Sequence, residues 1–443
     1  MQKVPKCGGS LIMTINNILP DFDEASASQI PAVVQLINLG YSYISRADVK
    51  KLRNDSTNQY ILRSIAERAL RKINSDEISE KSIIDAVNDL ENMKFKNAGV
   101  QKVSEQIYSN LLTGVSVSEF VNGRKTSPQL KFIDWSNIQN NEFHICVEFE
   151  ISEDANRRPD IVLFVNGIPF AVIECKKPSV NVNEAIDQHL RNQQGNNIPK
   201  FFLFTQILAA TNVSTFKYGT MLTPAKYYSV WKEENEDEKL LNSLNPVSEL
   251  AKIKQDLVRE NFNYKIPKSV SEQTKGLYNI LRPERLLELV RSYVIYDRDI
   301  KKIARYQQYF AVQKSMARIN GNPRKGGLIW HTQGSGKSLT MVFLVKILIE
   351  QLKNPRIVIV TDRKQLNHQI SGVFNACKIK KEVTEAKSAK DLVRSLKEKS
   401  VDVIITLVQK FDRTKDSFTD YDDNIFILID EAHRTRVEKL MLE

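Results

Sequence analysis

Cysteine and histidine are scarce in this chain. The 443 residues hold four cysteines, Cys7, Cys146, Cys175 and Cys377, and no two form a Cys-x-x-Cys pair. That excludes a disulfide framework and points to a reducing compartment, the cytoplasm. The five histidines are scattered, which excludes a zinc cluster. No apolar run approaches the roughly 18 residues of a membrane span, so no membrane role is expected. The stretch Met1 to Ile12 is too short in apolar residues for a signal peptide, and Met13 is a candidate natural start. Internal repeats and low-complexity tracts are also missing. What is present is a globular composition, 42% apolar, on a chain long enough for two or three domains. Lysine and arginine outnumber aspartate and glutamate, 64 to 53, for a net charge of +11. Such a surplus favours a polyanionic partner and says nothing of the fold.

The chain changes character along its length. Ile30 to Leu39 is apolar at helical spacing and stops at Gly40, and Ile61 to Ile73 and Glu80 to Met93 repeat the pattern. Strand chemistry follows at His144 to Phe149, Ile161 to Val165 and Ile168 to Ile173. Asn183 to Gln194 returns to a helix, and Phe201 to Ala210 reads as one further apolar element. The polar, lysine-rich stretch 250–275, which contains Pro267, marks a boundary between residues 1–265 and 266–443. Beyond it strands and helices alternate. Gly327 to His331, Arg356 to Thr361, Val401 to Thr406 and Asn424 to Ile429 are apolar on both faces, which predicts a parallel sheet of βαβ units.

Two sites carry phosphate chemistry. In the second half, Thr332-Gln333-Gly334-Ser335-Gly336-Lys337-Ser338 lies between an expected strand and an expected helix. His331 stands where a strict GxxxxGK[ST] motif has its first glycine. Gly334, Ser335 and Gly336 would let backbone N–H groups close on phosphate oxygens at a helix N-terminus. Lys337 would neutralise the β/γ-phosphates of ATP, and Ser338 and Asp430 would hold Mg²⁺. Glu431 would orient the attacking water. Asp430-Glu431-Ala432-His433, about a hundred residues after such a loop, makes the pair more specific than either part.

In the first half, Asp160 and Glu174 flank a short hairpin whose tip is Asn166-Gly167, with Lys176 two residues beyond Glu174 on the same face. Two carboxylates and the Cys175 carbonyl form an all-oxygen ligand set suited to Mg²⁺. Such a cation would polarise a scissile phosphate and activate water, with Lys176 orienting it. Geometry constrains this reading. A plain two-residue turn would pair Asp160 with Ile173 and turn the carboxylates to opposite faces. The expectation is therefore a three-residue loop, Val165-Asn166-Gly167, or a bulge elsewhere in the hairpin.

The second half resembles the first RecA-like lobe of superfamily 2 helicases and translocases. Arg305-Tyr306-Gln308-Tyr309 resembles its adenine-reading segment, in which Gln308 would hydrogen-bond the base. Thr361 to Leu366 and Thr406 to Phe411 resemble segments that touch the nucleic-acid backbone. The first half resembles the PD-(D/E)xK nuclease fold. Taken together, Asn166 to Pro178, Gln206, Ala209-Ala210-Thr211-Asn212, Lys217-Tyr218-Gly219 and Thr223-Pro224 resemble the restriction (motor) subunit of type I restriction–modification enzymes, from roughly Gln29 to Arg434. Members often carry Gln-x-x-x-Tyr on the helix after the catalytic strand. Gln188 fits the glutamine, but Asn192 occupies the tyrosine position. Glu24 is a candidate for the acidic residue of the fold's first helix.

The resemblance implies an N-terminal fragment of an ATP-dependent restriction endonuclease: a Mg²⁺-dependent nuclease domain, then a first motor lobe. It would act on double-stranded DNA with methyltransferase and specificity subunits. With no second motor lobe in these residues, the fragment alone is expected to turn ATP over negligibly. The rival reading is a DNA-binding or translocating module whose nuclease fold is vestigial.

Overall fold

The computed structural model describes residues 23–93, 99–121, 123–321, 326–332, 334–377, 383–397, 403–413 and 424–430. Its first half is built on a six-stranded mixed sheet in the order Ser42–Tyr43, Phe143–Val147, Ile161–Val165, Ile168–Cys175, Ile207–Thr211, Phe216–Gly219. The first pair and the pair Ile168–Cys175/Ile207–Thr211 are parallel, and the other three pairs are antiparallel. Every residue of Ile161–Val165 and Ile168–Cys175 is buried. A strand buried on both faces needs cover on both. Helix Val182–Asn192 packs on Ile168–Cys175 and Ile207–Thr211, and the backbone N–H of Leu62, just before helix Arg63–Ile73, donates to the carbonyl of Gly167.

Helices Ile30–Asn38, Arg63–Ile73 and Glu80–Glu91 fall where the apolar spacing places them. The single element expected over Phe201 to Ala210 is two: helix Pro199–Phe202, then strand Ile207–Thr211. The break comes at Thr205, whose hydroxyl donates to the Phe202 carbonyl, and Gln206, whose side chain bonds back to Phe204. Polar groups that satisfy the backbone locally end a helix without glycine or proline.

The second half contains a four-stranded sheet, parallel throughout, in the order Val383–Glu385, Val403–Leu407, Arg356–Thr361, Ile425–Ile429. The parallel sheet expected from two-sided apolar strands is therefore present. One of its strands is not. Among the described residues Gly327 to His331 pairs with no strand, and Trp330 is 86% exposed. It faces the edge strand Ile425–Ile429 across an open cleft of about 1140 Å³. An apolar run makes a strand only when an edge pairs with it, and here the two edges stand apart.

Helices Glu272–Leu281 and Pro283–Tyr293 and hairpin Val294–Asp297/Ile300–Ile303 join the halves. Gln273 exchanges hydrogen bonds with Ser28, and the Tyr41 hydroxyl donates to the Leu281 carbonyl. The Lys346 ammonium donates to the carbonyls of Arg291 and Val294. One continuous apolar core runs through both halves.

Candidate nuclease and nucleotide sites

The hairpin turn is the two-residue one. Val165 pairs with Ile168, and Asn166 and Gly167 take φ of 49° and 73°, as a type I′ turn requires. The three-residue loop expected above does not form. Asn166 is pinned instead: its carboxamide accepts from Glu142 N–H and donates to the Phe132 carbonyl and Asn141. Gly167 lies so close to the next helix that an added Cβ would sit 2.6 Å from the Leu62 carbonyl oxygen. The carboxylates nevertheless come to one face, by the other route. The register slips between Pro169, opposite Phe164, and Ala171, opposite Leu163, leaving Phe170 as the extra residue of a bulge. Ile173 then opposes Ile161, and one step further Asp160 opposes Glu174.

Asp160 and Glu174 are both deeply buried, 5% and 0% exposed. Asp160 Oδ2 accepts from the Cys175 N–H at 2.6 Å. Gln188 Nε2 donates to Glu174 Oε2 at 2.7 Å, while Glu174 Oε1 has no partner. The Lys176 ammonium donates to the Cys175 carbonyl at 2.8 Å and stands 3.5 Å from Glu24 Oε2. The structure thus brings Asp160, Glu174, Lys176, Cys175, Gln188 and Glu24 together. Burial pushes the Asp160 carboxyl up to about 7, Lys176 and the Cys175 N–H opposing it, Glu24 and Glu148 adding to it. Burial and then the Asp160 charge hold Glu174 well above the usual carboxylate range. Burial lowers the Lys176 pKa, but the Asp160, Glu24 and Glu174 carboxylates outweigh it and leave the ammonium above its ordinary value. Two buried carboxylates that resist ionising, one with an unused oxygen, are the donors a small hard cation would satisfy. No group of three histidine, cysteine, aspartate or glutamate side chains is close enough to hold a metal among the described residues. A cation here would rest on two carboxylates, a carbonyl and water.

Asn192 lies one turn beyond Gln188, buried, with its Oδ1 unpartnered. Two neighbours escaped the sequence reading. Glu148 has φ 49°, its N–H donates to the Asp160 carbonyl, and its charge raises the Asp160 carboxyl. Tyr228 is buried in contact with helix Val182–Asn192. The strained φ of Glu148 exists only in the fold, and Tyr228 is forty residues from Gln188, so local pattern carried no signal for either.

In the second half, helix Lys337–Gln351 begins at the loop, with Gly334 and Gly336 at φ of 77° and 86°. Ser335 N–H and Oγ both bond the Thr332 carbonyl. Lys337 and Ser338 occupy the first turn, the helix end whose dipole favours an anion. Gln308 Nε2 donates to the carbonyls of Ser335 and Gly336, and Gln308 Oε1 accepts from the Arg305 N–H. The amide expected on adenine is here engaged with the loop itself. Asp430 ends strand Ile425–Ile429, its N–H on the Val360 carbonyl. Gln333 and Glu431 lie outside the described residues.

The comparisons with known proteins match two separate stretches of the chain. Residues 21–227 match the model of the type I restriction enzyme R protein N terminus, and residues 307–443 match that of the SWI2/SNF2 ATPase. A protein of Methanocaldococcus jannaschii named as a type I restriction enzyme endonuclease subunit (MjaIXP) is 31% identical over 431 residues, 91% of this chain and 39% of its own length. The type I restriction enzyme HindI endonuclease subunit of Haemophilus influenzae is 29% identical over 433 residues, 91% of this chain and 38% of its own. The chain belongs to the type I restriction endonuclease subunit family. It spans about two fifths of the length of the relatives it matches. Its second half, with an SNF2-type ATPase match and a parallel sheet, fits a helicase-like lobe. No described helix is long and apolar enough to cross a membrane.

Proposed function

We propose that residues 1–265 form a PD-(D/E)xK-type, Mg²⁺-dependent DNA endonuclease and residues 266–443 an ATP-binding translocase lobe, working within a type I restriction enzyme. The observation that carries this is the Phe170 bulge, which sets Asp160 opposite Glu174 beside Lys176. When bound, a divalent cation would polarise the scissile phosphate and acidify a water. Asp160 and Glu174 would hold it, with the Cys175 carbonyl. Gln188 fixes the Glu174 carboxylate by its Oε2, and Lys176, held by the Glu24 carboxylate and the Cys175 carbonyl, is placed to orient water and offset charge on the phosphate.

In the motor lobe, Gly334 and Gly336 shape a loop whose N–H groups face phosphate, and Lys337 neutralises it. Ser338 and Asp430 would hold Mg²⁺, with Glu431 on the attacking water. Arg305 and Gln308 would read the adenine, Gln308 exchanging the Ser335 and Gly336 carbonyls for the base. ATP-driven movement along double-stranded DNA precedes cleavage, and the partners are methyltransferase and specificity subunits in the cytoplasm.

The test uses the assembled enzyme. Lys176→Ala should abolish cleavage and leave DNA-stimulated ATP hydrolysis, whereas Lys337→Ala should abolish both. Cleavage that survives Lys176→Ala would leave the vestigial-nuclease reading in its place.

A further inference from the structure

Tyr228 is buried, and its hydroxyl has no hydrogen-bond partner. A buried phenol normally finds one, because stripping it of water is otherwise uncompensated. The ring cannot easily turn away to find solvent. It stacks on His189 with centroids 6.4 Å apart and planes 18° apart. His189 is the neighbour of Gln188, and its Nε2 is bonded to the carbonyl of Ala209 on the strand alongside Glu174, which itself pairs with Ala210. The Tyr228 backbone N–H donates to the Ala225 carbonyl, and the next residue, Ser229, bridges to Tyr218. Gly219 makes room for the hydroxyl end of the ring: an added Cβ there would lie 3.2 Å from Tyr228 Cε2 and Cζ. The phenol is therefore fixed against the helix and strand that carry Gln188 and Glu174. Burial holds the phenol above its ordinary range, and the Glu174 charge adds to it. Glu174 Oε2 is already held by Gln188, and Oε1 is held by nothing.

We propose that Tyr228 is a positioning residue of the nuclease site, its hydroxyl donating to the Glu174 carboxylate when that carboxylate ligates a divalent cation, so that Gln188 and Tyr228 together fix its orientation. The inference rests on the nuclease reading above. A carboxylate bound to a cation is an acceptor on every free lone pair, and a buried donor with no other bond to break costs little to engage. In the cation-free protein the same hydroxyl contributes no bond, which separates this role from a structural one.

The experiment compares wild type with Tyr228→Phe, which keeps ring, stacking and volume and removes only the unpartnered hydroxyl. Three readouts are taken: melting of the chelated chain, Mn²⁺ affinity of the nucleotide-free chain by calorimetry, and DNA cleavage by the assembled enzyme over a Mn²⁺ series. The melting temperature should not fall. Mn²⁺ affinity and cleavage at limiting Mn²⁺ should each drop about 10- to 100-fold, the usual effect of removing an outer-shell partner, and cleavage should recover as Mn²⁺ is raised. Wild-type affinity and cleavage in the variant, or a loss that follows lower melting and is not relieved by Mn²⁺, would overturn the role of Tyr228 while leaving the nuclease reading intact. No Mn²⁺ binding and no cleavage by the wild type would overturn both.

Discussion

Replacing Asp160 by asparagine should stabilise the cation-free protein, but only at neutral and alkaline pH. Burial, aided by the Glu24 and Glu148 charges, moves this carboxyl from its ordinary 3.8 to about 7. At 1.36 kcal/mol per pH unit, that gap is a charge-burial penalty of about 4 kcal/mol. The sign follows from which state holds the proton longer. Near pH 4 and below, folded and unfolded chains are both protonated there and no penalty exists. As pH rises from about 4 to about 7 the unfolded chain deprotonates first, so stability falls; above about 7 the full penalty applies. Asparagine removes the charge and can still accept the Cys175 N–H through its side-chain oxygen, as Asp160 Oδ2 does at 2.6 Å. In chelator, Asp160→Asn should therefore melt several degrees above wild type at pH 8, with the gap closing toward pH 4. Adding Mg²⁺ at pH 8 should raise wild type toward the variant and leave the variant unmoved. A variant that melts below wild type at pH 8, or differs from it equally at both pH values, would refute the reasoning, since Asp160 would then be an ordinary structural side chain.

Three further outcomes follow from the geometry. Gly167→Val should destabilise the first half by on the order of 2–3 kcal/mol in urea melts, because φ is 73° and a Cβ would lie 2.6 Å from the Leu62 carbonyl oxygen; a neutral effect would contradict the buried turn. Gly336→Ala should cost at least tenfold in ATP affinity by calorimetry with the first half still folded, because its φ of 86° strains any side chain and its Cβ would push the Gln308 amide off the loop; unchanged affinity would show that the loop reshapes on binding. Gln188→Ala should slow cleavage by the assembled enzyme about 10- to 100-fold by freeing Glu174 Oε2, and a wild-type rate would remove Gln188 from the site.

Element limits near the site were readable because apolar runs there are bounded by turn residues: strand Ile161–Val165 and the Asn166-Gly167 tip stand where the sequence places them. The register was not readable. Strands Ile161–Val165 and Ile168–Cys175 are buried on both faces, so no polar alternation marks which side a residue takes, and a one-residue bulge leaves the pattern unchanged. Chemistry filled that gap: demanding both carboxylates on one face required either an odd loop or a bulge, and the protein uses the bulge at Phe170. The same absence of alternation misled at Gly327 to His331, where an apolar run is exposed chain. Tyr228 and Glu148 reach the site through contacts distant in sequence, which no local pattern encodes.

The central claim is that Asp160 and Glu174 hold one cation between them. Anomalous diffraction from crystals soaked in Mn²⁺ without nucleotide tests it most directly. The account predicts a single peak in the first half of the chain, within roughly 2.0–2.4 Å of an oxygen from each carboxylate, and its loss in Glu174→Gln. A peak that touches neither or only one of the two carboxylates, or one that persists in Glu174→Gln, would contradict it.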